Sequence, residues 1–571
     1  MKQVLIDCDG AAIPAALRAR PDVLHKSLNQ RGPQANVNLR IQSPSSTLLT
    51  RVEDRAADLV RLASYVYAAD QSISRGGEAD VHGDNWKRQF TLYIPVSDLE
   101  FWNQECVRQS LSETLFFASE DVWNFHFTQA SPEQGQLTFD LDSNSVLGYP
   151  DSLYLFSGGL DSLCAVLEAA VQQGTHPLLV SHSPAFNIRS RQHRLAQTLK
   201  ERFGDRWTFP LINVPIHLAG AEASDYSQRT RSFLFASLGT VFAQRLGLPE
   251  VGLADNGVVS LNLPINGQII GAKASRSTHP KFIRLFNRFV QQMFPNCPRV
   301  VNPLWDRTRA ESLAVLQDIN AVELIQETCS CSHPRYLTRM QNHCGACSQC
   351  IDRRFATLAA GLEEYDPPER YRVDIFRQGL SLERDQTMAL SYTRFAAEVE
   401  DLDEIGLFLR FAELSECLDP NDPNCSIVAE RLIALLKRHA SSVLRVVEEQ
   451  IASAKGELAR QSLPPNCLIR LIAGSSVPEA RPSSFRHSPE YREVWLGDEK
   501  FSLTTNQARV VELLDGQRLK GVDALSQGYI LETLDIGSQN LAQVFRGSAA
   551  WDRLIVRADG RGMYRLNIPS A

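Results

Sequence analysis

The hexapeptide Ser157-Gly158-Gly159-Leu160-Asp161-Ser162 constrains this chain more than any other stretch. Before it, Leu153-Tyr154-Leu155-Phe156 is a short apolar run suited to a buried strand. After it, Leu163, Val166, Leu167, Ala170 and Val171 recur at helical spacing until Gly174 stops the pattern. The hexapeptide is therefore expected on a strand-to-helix turn. Adjacent glycines let the backbone approach an anion, and the N–H groups and dipole of a first helical turn favour a phosphate there. Ser157 and Ser162 add hydroxyls, and Asp161 is placed to hold Mg²⁺ or to position a nucleotide. A serine-capped tight turn would explain a lone Gly-Gly pair, but here the hexapeptide, strand and helix agree.

Cysteine spacing supplies the second constraint. Of twelve cysteines, five crowd between Cys329 and Cys350, too local for a disulfide scaffold in a chain of 571 residues. Cys344, Cys347 and Cys350 are separated by two residues each, and with Cys331 upstream they can close a tetrahedral thiolate site for Zn²⁺. Gly345 lets the chain turn between ligands. Cys329 competes for the first ligand position, and an iron–sulfur cluster is the rival occupant, since thiolates hold those as well.

The length predicts three or four domains. With 43% hydrophobic and 22% charged residues the chain reads as globular, and a net charge of −7 does not advertise nucleic-acid binding by the whole molecule. No apolar run is long enough to span a bilayer and no basic-then-apolar leader opens the sequence, so a cytoplasmic protein without membrane contact is expected.

Residues 1–148 read as an N-terminal α+β accessory domain without a catalytic signature. Its opening Val4-Leu5-Ile6-Asp7-Cys8-Asp9-Gly10 imitates the nucleophile motif of haloacid-dehalogenase-like phosphatases, but the Rossmann-like order such an enzyme needs is not evident, and the stretch reads as a strand entering a turn. Residues 149–365 alternate strands with helices, hence a parallel sheet whose ligands bind beyond the strands' carboxyl ends. Ser181 to Ser183 should open on that crevice, and His182 and His193 are read as loop or surface histidines rather than nucleotide contacts. Arg229 and Arg231 open an apolar helix where they oppose its dipole, which an anionic ligand would explain. Asp255-Asn256-Gly257 forms another carboxyl-edge loop. Residues 366–476 read as helical, with amphipathic patterns at Leu407–Glu416 and Ile427–Leu444, and a proline-rich linker containing Pro478, Pro482 and Pro489 follows.

Residues 490–571 resemble a winged helix-turn-helix, with Ser538–Arg546 as the recognition helix and a wing at Arg557–Arg565. From Glu490 on, ten Lys and Arg face eleven Asp and Glu, so protein docking is favoured over DNA binding.

The Ser157–Ser162 hexapeptide resembles the PP-loop of ATP pyrophosphatases, which attack the α-phosphate of ATP and release pyrophosphate. Combined with Arg191-Gln192-His193-Arg194, Arg231-Ser232, Pro303-Leu304, Thr308, Glu311, Cys331, Cys344, Cys347, Cys350 and Arg353 in that order, residues 150–362 resemble the 7-cyano-7-deazaguanine synthases, the QueC family. That resemblance favours Cys331 over Cys329 as a zinc ligand. It implies ATP, Mg²⁺ and Zn²⁺ as cofactors and the adenylation of a 7-deazaguanine carboxylate. Ser157, Gly158, Gly159, Leu160, Asp161 and Ser162 would hold the nucleotide, with Asp161, Ser162 and Arg231 at the chemistry. Where the family has Gly-Arg-Asn this chain has Thr230-Arg231-Ser232, and Asp255-Asn256-Gly257 matches the acidic substrate loop only loosely. The flanks resemble those of QueC-like proteins from bacterial antiviral operons of the Qat and type IV CBASS groups, which implies an amine acceptor on a partner protein from the same operon in place of ammonia. Two other readings remain: a PP-loop tRNA-modifying enzyme such as a thiolase, which requires a cysteine beside the nucleotide, and a DNA-binding regulator that senses nucleotide through a degenerate loop.

Overall fold

A computed structural model describes residues 2–30, 32–39, 49–51, 53–75, 87–130, 138–140, 150–182, 186–218, 227–265, 276–332, 341–473, 485–488, 491–496, 499–518, 524–534, 536–538, 540–558 and 562–568. Ser183, the linker prolines and the expected turn at Asp559-Gly560-Arg561 lie outside them. The chain divides into two compact units, Met1–Ala473 and Gly474–Ala571.

The first unit is a mixed α/β structure with two parallel sheets. Five strands run parallel in the order Leu211–Val214, Pro177–His182, Ser152–Leu155, Glu250–Gly252 and Arg299–Val301. The hexapeptide thus leaves the middle strand. Parallel neighbours need crossovers, supplied here by helices such as Leu160–Val171, Phe186–Phe203 and Arg231–Leu246. Every residue of Pro177–His182 is buried, as a strand covered on both faces requires. His182 is among them: its Nδ1 lies 3.0 Å from the Val214 carbonyl and its ring meets Tyr67 edge-on, so it is a core histidine, whereas His193 is exposed on its helix.

The N-terminal region departs from the expected α+β arrangement. Leu24–Leu28, Lys2–Cys8, Arg88–Val96 and Val122–Gln129 form a second, wholly parallel sheet in that order, with helices Asp54–Ser72 and Glu105–Ser119 in its crossovers. The strand Leu24–Leu28 lies in a polar, proline-bearing stretch whose periodicity conceals it. The strand that ends beside Asp7 and Asp9 therefore stands in a parallel sheet. Small antiparallel pairs, Val37–Leu39 with Ile216–Leu218 and Leu49–Arg51 with Thr138–Asp140, supplement it.

One continuous core joins the two sheets: Leu62, Val66 and Phe90 belong to the same buried cluster as Phe233, Phe242 and Phe282. A buried ionic knot reinforces the join. Arg75 and Arg88 bridge Asp70 and Asp121, and Asp70 Oδ2 also accepts the Thr230 N–H (3.0 Å) and hydroxyl (3.1 Å). Burial alone would raise the Asp70 carboxyl, but the two guanidinium groups hold it at about 2.

Residues 366–473 are helical. Glu383–Asp401 packs against the long helix Cys425–Ser453, and the amphipathic stretch near Leu407 is split into Glu404–Arg410 and Leu414–Cys417.

In the second unit, strands Phe485–His487, Glu493–Leu496 and Glu499–Ser502 form one antiparallel sheet. Helices Thr505–Arg518, Gln527–Thr533 and Leu541–Val544 and a sheet of Leu525–Ser526, Met563–Leu566 and Ile555–Arg557 enclose its core, including Val511, Ile530 and Leu541. The helix expected at Ser538–Arg546 is confined to Leu541–Val544, because Asn540 caps it at one end and Phe545, buried in the core, leaves helical geometry at the other.

Candidate nucleotide loop and four-cysteine centre

The hexapeptide forms the strand-to-helix turn that its sequence dictates. Gly158 takes a left-handed φ of +79°, and a Cβ there would lie 3.3 Å from Gln192 Cγ. Gly159 precedes the helix in extended geometry and donates its N–H to Ser157 Oγ (3.2 Å), while Ser162 Oγ donates to the Gly159 carbonyl (2.9 Å) and lies 3.1 Å from Ser157 Oγ. The first N–H groups of the helix have no carbonyl one turn back to receive them, so the turn is a ready anion seat.

Neighbouring elements hold this shape. Gln192 directs its Nε2 toward the carbonyls of Phe156, Ser157 and His182 (3.3–3.4 Å), and its own Oε1 accepts from Asn213. On the other flank the Cys329 N–H donates to the Gly158 carbonyl (3.1 Å).

Asp161 is buried, and its carboxylate is heavily bonded. Arg309 donates Nε to Oδ1 and Nη2 to Oδ2 (2.9 Å each), and Asn256 donates both its backbone and side-chain N–H to Oδ2 (3.1 Å each). Burial pushes this carboxyl up, but the paired guanidinium and the amide donors outweigh that and hold it below the usual range. Arg309 continues to Asp352 (2.9 Å) and to the Gln349 side chain (2.8 Å); Asp352 accepts the Tyr392 hydroxyl (2.7 Å). The loop helix, the helix Ser348–Ala359 and the helical region are thus joined by one buried chain of charges.

Asp255 stands next to this chain. Burial, with the neighbouring Asp161 charge, pushes its carboxyl up to about 6, opposed by a hydrogen bond from Thr278 (2.9 Å) and by Arg309 and Arg231. Arg231 opens its helix and rests over the Phe235 ring at 5.2 Å.

The sulfurs of Cys331, Cys344, Cys347 and Cys350 all lie within 4.8 Å of one another, and those of Cys344 and Cys350 are 3.8 Å apart. A tetrahedral zinc with Zn–S bonds of roughly 2.3 Å holds sulfurs about 3.8 Å apart, so the donor set fits a metal such as zinc and leaves no open coordination position. Gly345, at φ +89°, allows the tight approach: a Cβ would lie 1.9 Å from the Val373 carbonyl oxygen. Cys329 stands outside the cluster, its thiol donating to the Asn342 carbonyl (3.2 Å) and lying 3.0 Å from Arg191 Nη1. Ser157–Ser162 and the four-cysteine cluster are therefore linked through 328–331, and Arg353 ties that segment down by bonding Thr328 and Asp366.

The expected carboxyl-edge loop at Asp255-Asn256-Gly257 does reach this carboxylate, through Asn256, whereas no expectation from sequence assigns Arg309 or Asp352 to it. Arg309 sits inside the Thr308-Arg309-Ala310-Glu311 helix start, where Thr308 and Glu311 form a capping box and drew the attention. A basic residue in a helix's first turn, opposing the dipole, was the available signal, the same one that marked Arg231.

These features define an α/β protein with parallel sheets, a glycine-rich loop on its middle strand and a closed four-thiol centre. No protein-family model matches the chain. Over 87 residues, 15% of its length, it is 31% identical to the 7-cyano-7-deazaguanine synthase of Methanocaldococcus jannaschii, and the match spans 37% of that protein. The chain thus spans little more than a third of the curated relative it matches. No helix among the described residues is long and apolar enough to cross a membrane.

Proposed function

We propose that the chain is an ATP-dependent enzyme that adenylates a 7-deazaguanine carboxylate and passes the acyl group to an amine. The observation that supports this most is the glycine loop at the carboxyl edge of the middle strand, with its uncommitted helical N–H groups. Ser157, Gly158, Gly159, Leu160 and Ser162 would seat the phosphates. In the first step a substrate carboxylate oxygen attacks the α-phosphorus, the bond to the β-phosphate oxygen breaks, and pyrophosphate leaves with that electron pair. In the second, an amine nitrogen attacks the acyl carbon, AMP departs with the C–O pair, and the amine proton passes to a base. Ammonia and an amine on a partner protein are equivalent in this step, so a deazaguanine–protein conjugate of the antiviral kind is one product class and a free amide the other; a nitrile would need a second ATP, whose AMP carries off the amide oxygen as two N–H protons are lost.

Catalysis here is chiefly positioning and charge neutralisation. Arg231 would meet the carboxylate or a phosphate. Asp161 serves in this reading to anchor Arg309 and the Asn256 loop, since its oxygens already accept four N–H donors. Mg²⁺ enters only with the phosphates of ATP and is assigned no protein ligand. Zinc at Cys331, Cys344, Cys347 and Cys350 would be structural, cross-linking the end of the sheet region to the loop. Residues 1–148, 149–365 and 366–476 are assigned as accessory, adenylating and helical parts, and 490–571 as a winged-helix-like domain for protein docking.

Pyrophosphate and AMP release from ATP with 7-carboxy-7-deazaguanine, with and without ammonia, tests the reading, with Ser157→Ala as control. Turnover that needs the deazaguanine and falls in the variant supports it; ATP binding without such turnover removes it. A second reading, a tRNA-modifying PP-loop enzyme, draws on Cys329, whose N–H bonds Gly158. It requires that Cys329→Ser abolish RNA-dependent turnover while leaving zinc content intact.

A further inference from the structure

Just past the carboxyl edge of Glu250–Gly252 lies a narrow cleft of about 80 Å³, open to solvent and bounded by helices Gly257–Leu261, Ser348–Ala359, Glu383–Asp401 and Cys425–Ser453. Tyr392, Phe395 and Leu263 give it apolar and aromatic walls. Two buried polar atoms on its lining, Nδ2 of Asn262 and Nε2 of His439, have no hydrogen-bond partner among the described residues. His439 is only 5% exposed, its ring edge-on to Tyr392 at 5.5 Å. Burial lowers its pKa, so the ring is neutral near pH 7 and offers one N–H and one acceptor. Apolar walls with a few convergent, unsatisfied polar groups are the ordinary make-up of a small-molecule site.

The geometry also selects a ligand shape. A flat ring suits the aromatic wall, a carbonyl oxygen or ring nitrogen on its edge would satisfy the Asn262 amide, and an adjacent ring N–H or acceptor would satisfy His439. Position relative to the nucleotide loop is equally specific. Gln349 and Asp352 line the cleft and both bind Arg309, which in turn clamps Asp161. Two side chains in series, Gln349 or Asp352 and then Arg309, therefore connect a ligand in the cleft to the loop helix.

We propose that this cleft seats the heterocycle of the carboxylate substrate, a purinone-like ring, against Tyr392 and Phe395 with its polar edge toward Asn262 and His439. The identity of the ring rests on the adenylation reading; the site itself does not. Its outer walls come from Glu383–Asp401 and Cys425–Ser453, so the helical region contributes directly to substrate recognition.

Calorimetric titration of the full chain with 7-deazaguanine and with 7-carboxy-7-deazaguanine tests this, comparing wild type with Val259→Trp, which fills the cleft, and Asn262→Gly, which removes the amide at a left-handed position (φ 44°) that glycine accepts without strain. Both variants are expected to weaken ring binding at least tenfold, and to raise KM correspondingly, while ATP affinity stays within twofold of wild type. That last readout also excludes global misfolding. Ring affinity unchanged in both variants, in a chain that turns the carboxylate over, overturns the cleft and leaves the adenylation reading standing. Binding of 7-deazaguanine that the variants weaken, without pyrophosphate release from the carboxylate, upholds the cleft and removes the adenylation reading.

Discussion

The two parallel sheets of the first unit invite comparison, because each places a polar, glycine-containing turn at the carboxyl end of a central strand. After Lys2–Cys8 comes Asp9-Gly10; after Ser152–Leu155 comes Ser157-Gly158-Gly159. The first turn is closed on itself. Asp9 accepts the Gln30 N–H (2.7 Å) and the Tyr65 hydroxyl (2.6 Å), its own N–H donates to Leu28, and Asp7 takes the Ser27 hydroxyl (2.9 Å). In the second turn the outer bonds are made by neighbours that brace the backbone, Gln192 and Cys329, while the first helical N–H groups have no carbonyl one turn back. Topology gives both turns the same opportunity; what remains unpaired decides which can take a ligand.

Several substitutions would break or sharpen that contrast. The largest effect is expected at Gly158: a valine there needs a left-handed φ and crowds Gln192, so Gly158→Val should lower ATP-dependent turnover at least a hundredfold in a pyrophosphate-release assay. Arg309→Ala leaves Asp161 and Asp352 buried without their counter-charge and should cost about 3–5 kcal/mol in denaturant unfolding. Metal analysis should find one zinc per chain, lost in Cys347→Ser, and a strong chelator should lower the melting temperature of the wild type more than that of the variant.

A pH effect comes next. Because the Asp255 carboxyl is raised to about 6, the folded state binds its proton more tightly than the unfolded chain does, so this group favours folding below pH 4 and loses that contribution as pH rises through about 6. Asp255→Asn should therefore gain stability relative to wild type between pH 5 and pH 7, read from paired melting curves. Smallest is Asp9→Asn, which keeps one acceptor and should cost about 1 kcal/mol of stability without altering turnover.

The central strands, the loop helix and the cysteine cluster are legible in the sequence because each is a local pattern: an apolar run, a glycine pair, a two-residue spacing. Periodicity did not reach the N-terminal parallel sheet, where Leu24–Leu28 is a half-exposed edge strand without an apolar signature. Within the helical region, Glu383–Asp401 has no clear amphipathic pattern of its own, its buried Ala389, Tyr392 and Phe395 being scattered among polar residues. The Asp161–Arg309–Asp352 chain was illegible for a different reason. Its members are far apart in sequence, and only the packed fold brings Asn256 and Gln349 to the same guanidinium and carboxylate groups.

The bond from Asp70 to Thr230 bears on inheritance. Arg231 begins its helix directly after a residue whose N–H and hydroxyl are held by a carboxylate from the N-terminal helix Asp54–Ser72, and Phe233 and Phe242 bury their rings in a core shared with the N-terminal sheet. A gene fragment encoding only 149–365 would therefore present a raw apolar face and an untethered Arg231. Recombination can exchange parts of such a protein freely only where few contacts cross, and the boundary near residue 149 does not meet that condition. The N-terminal sheet and the glycine loop are therefore parts of one folding unit.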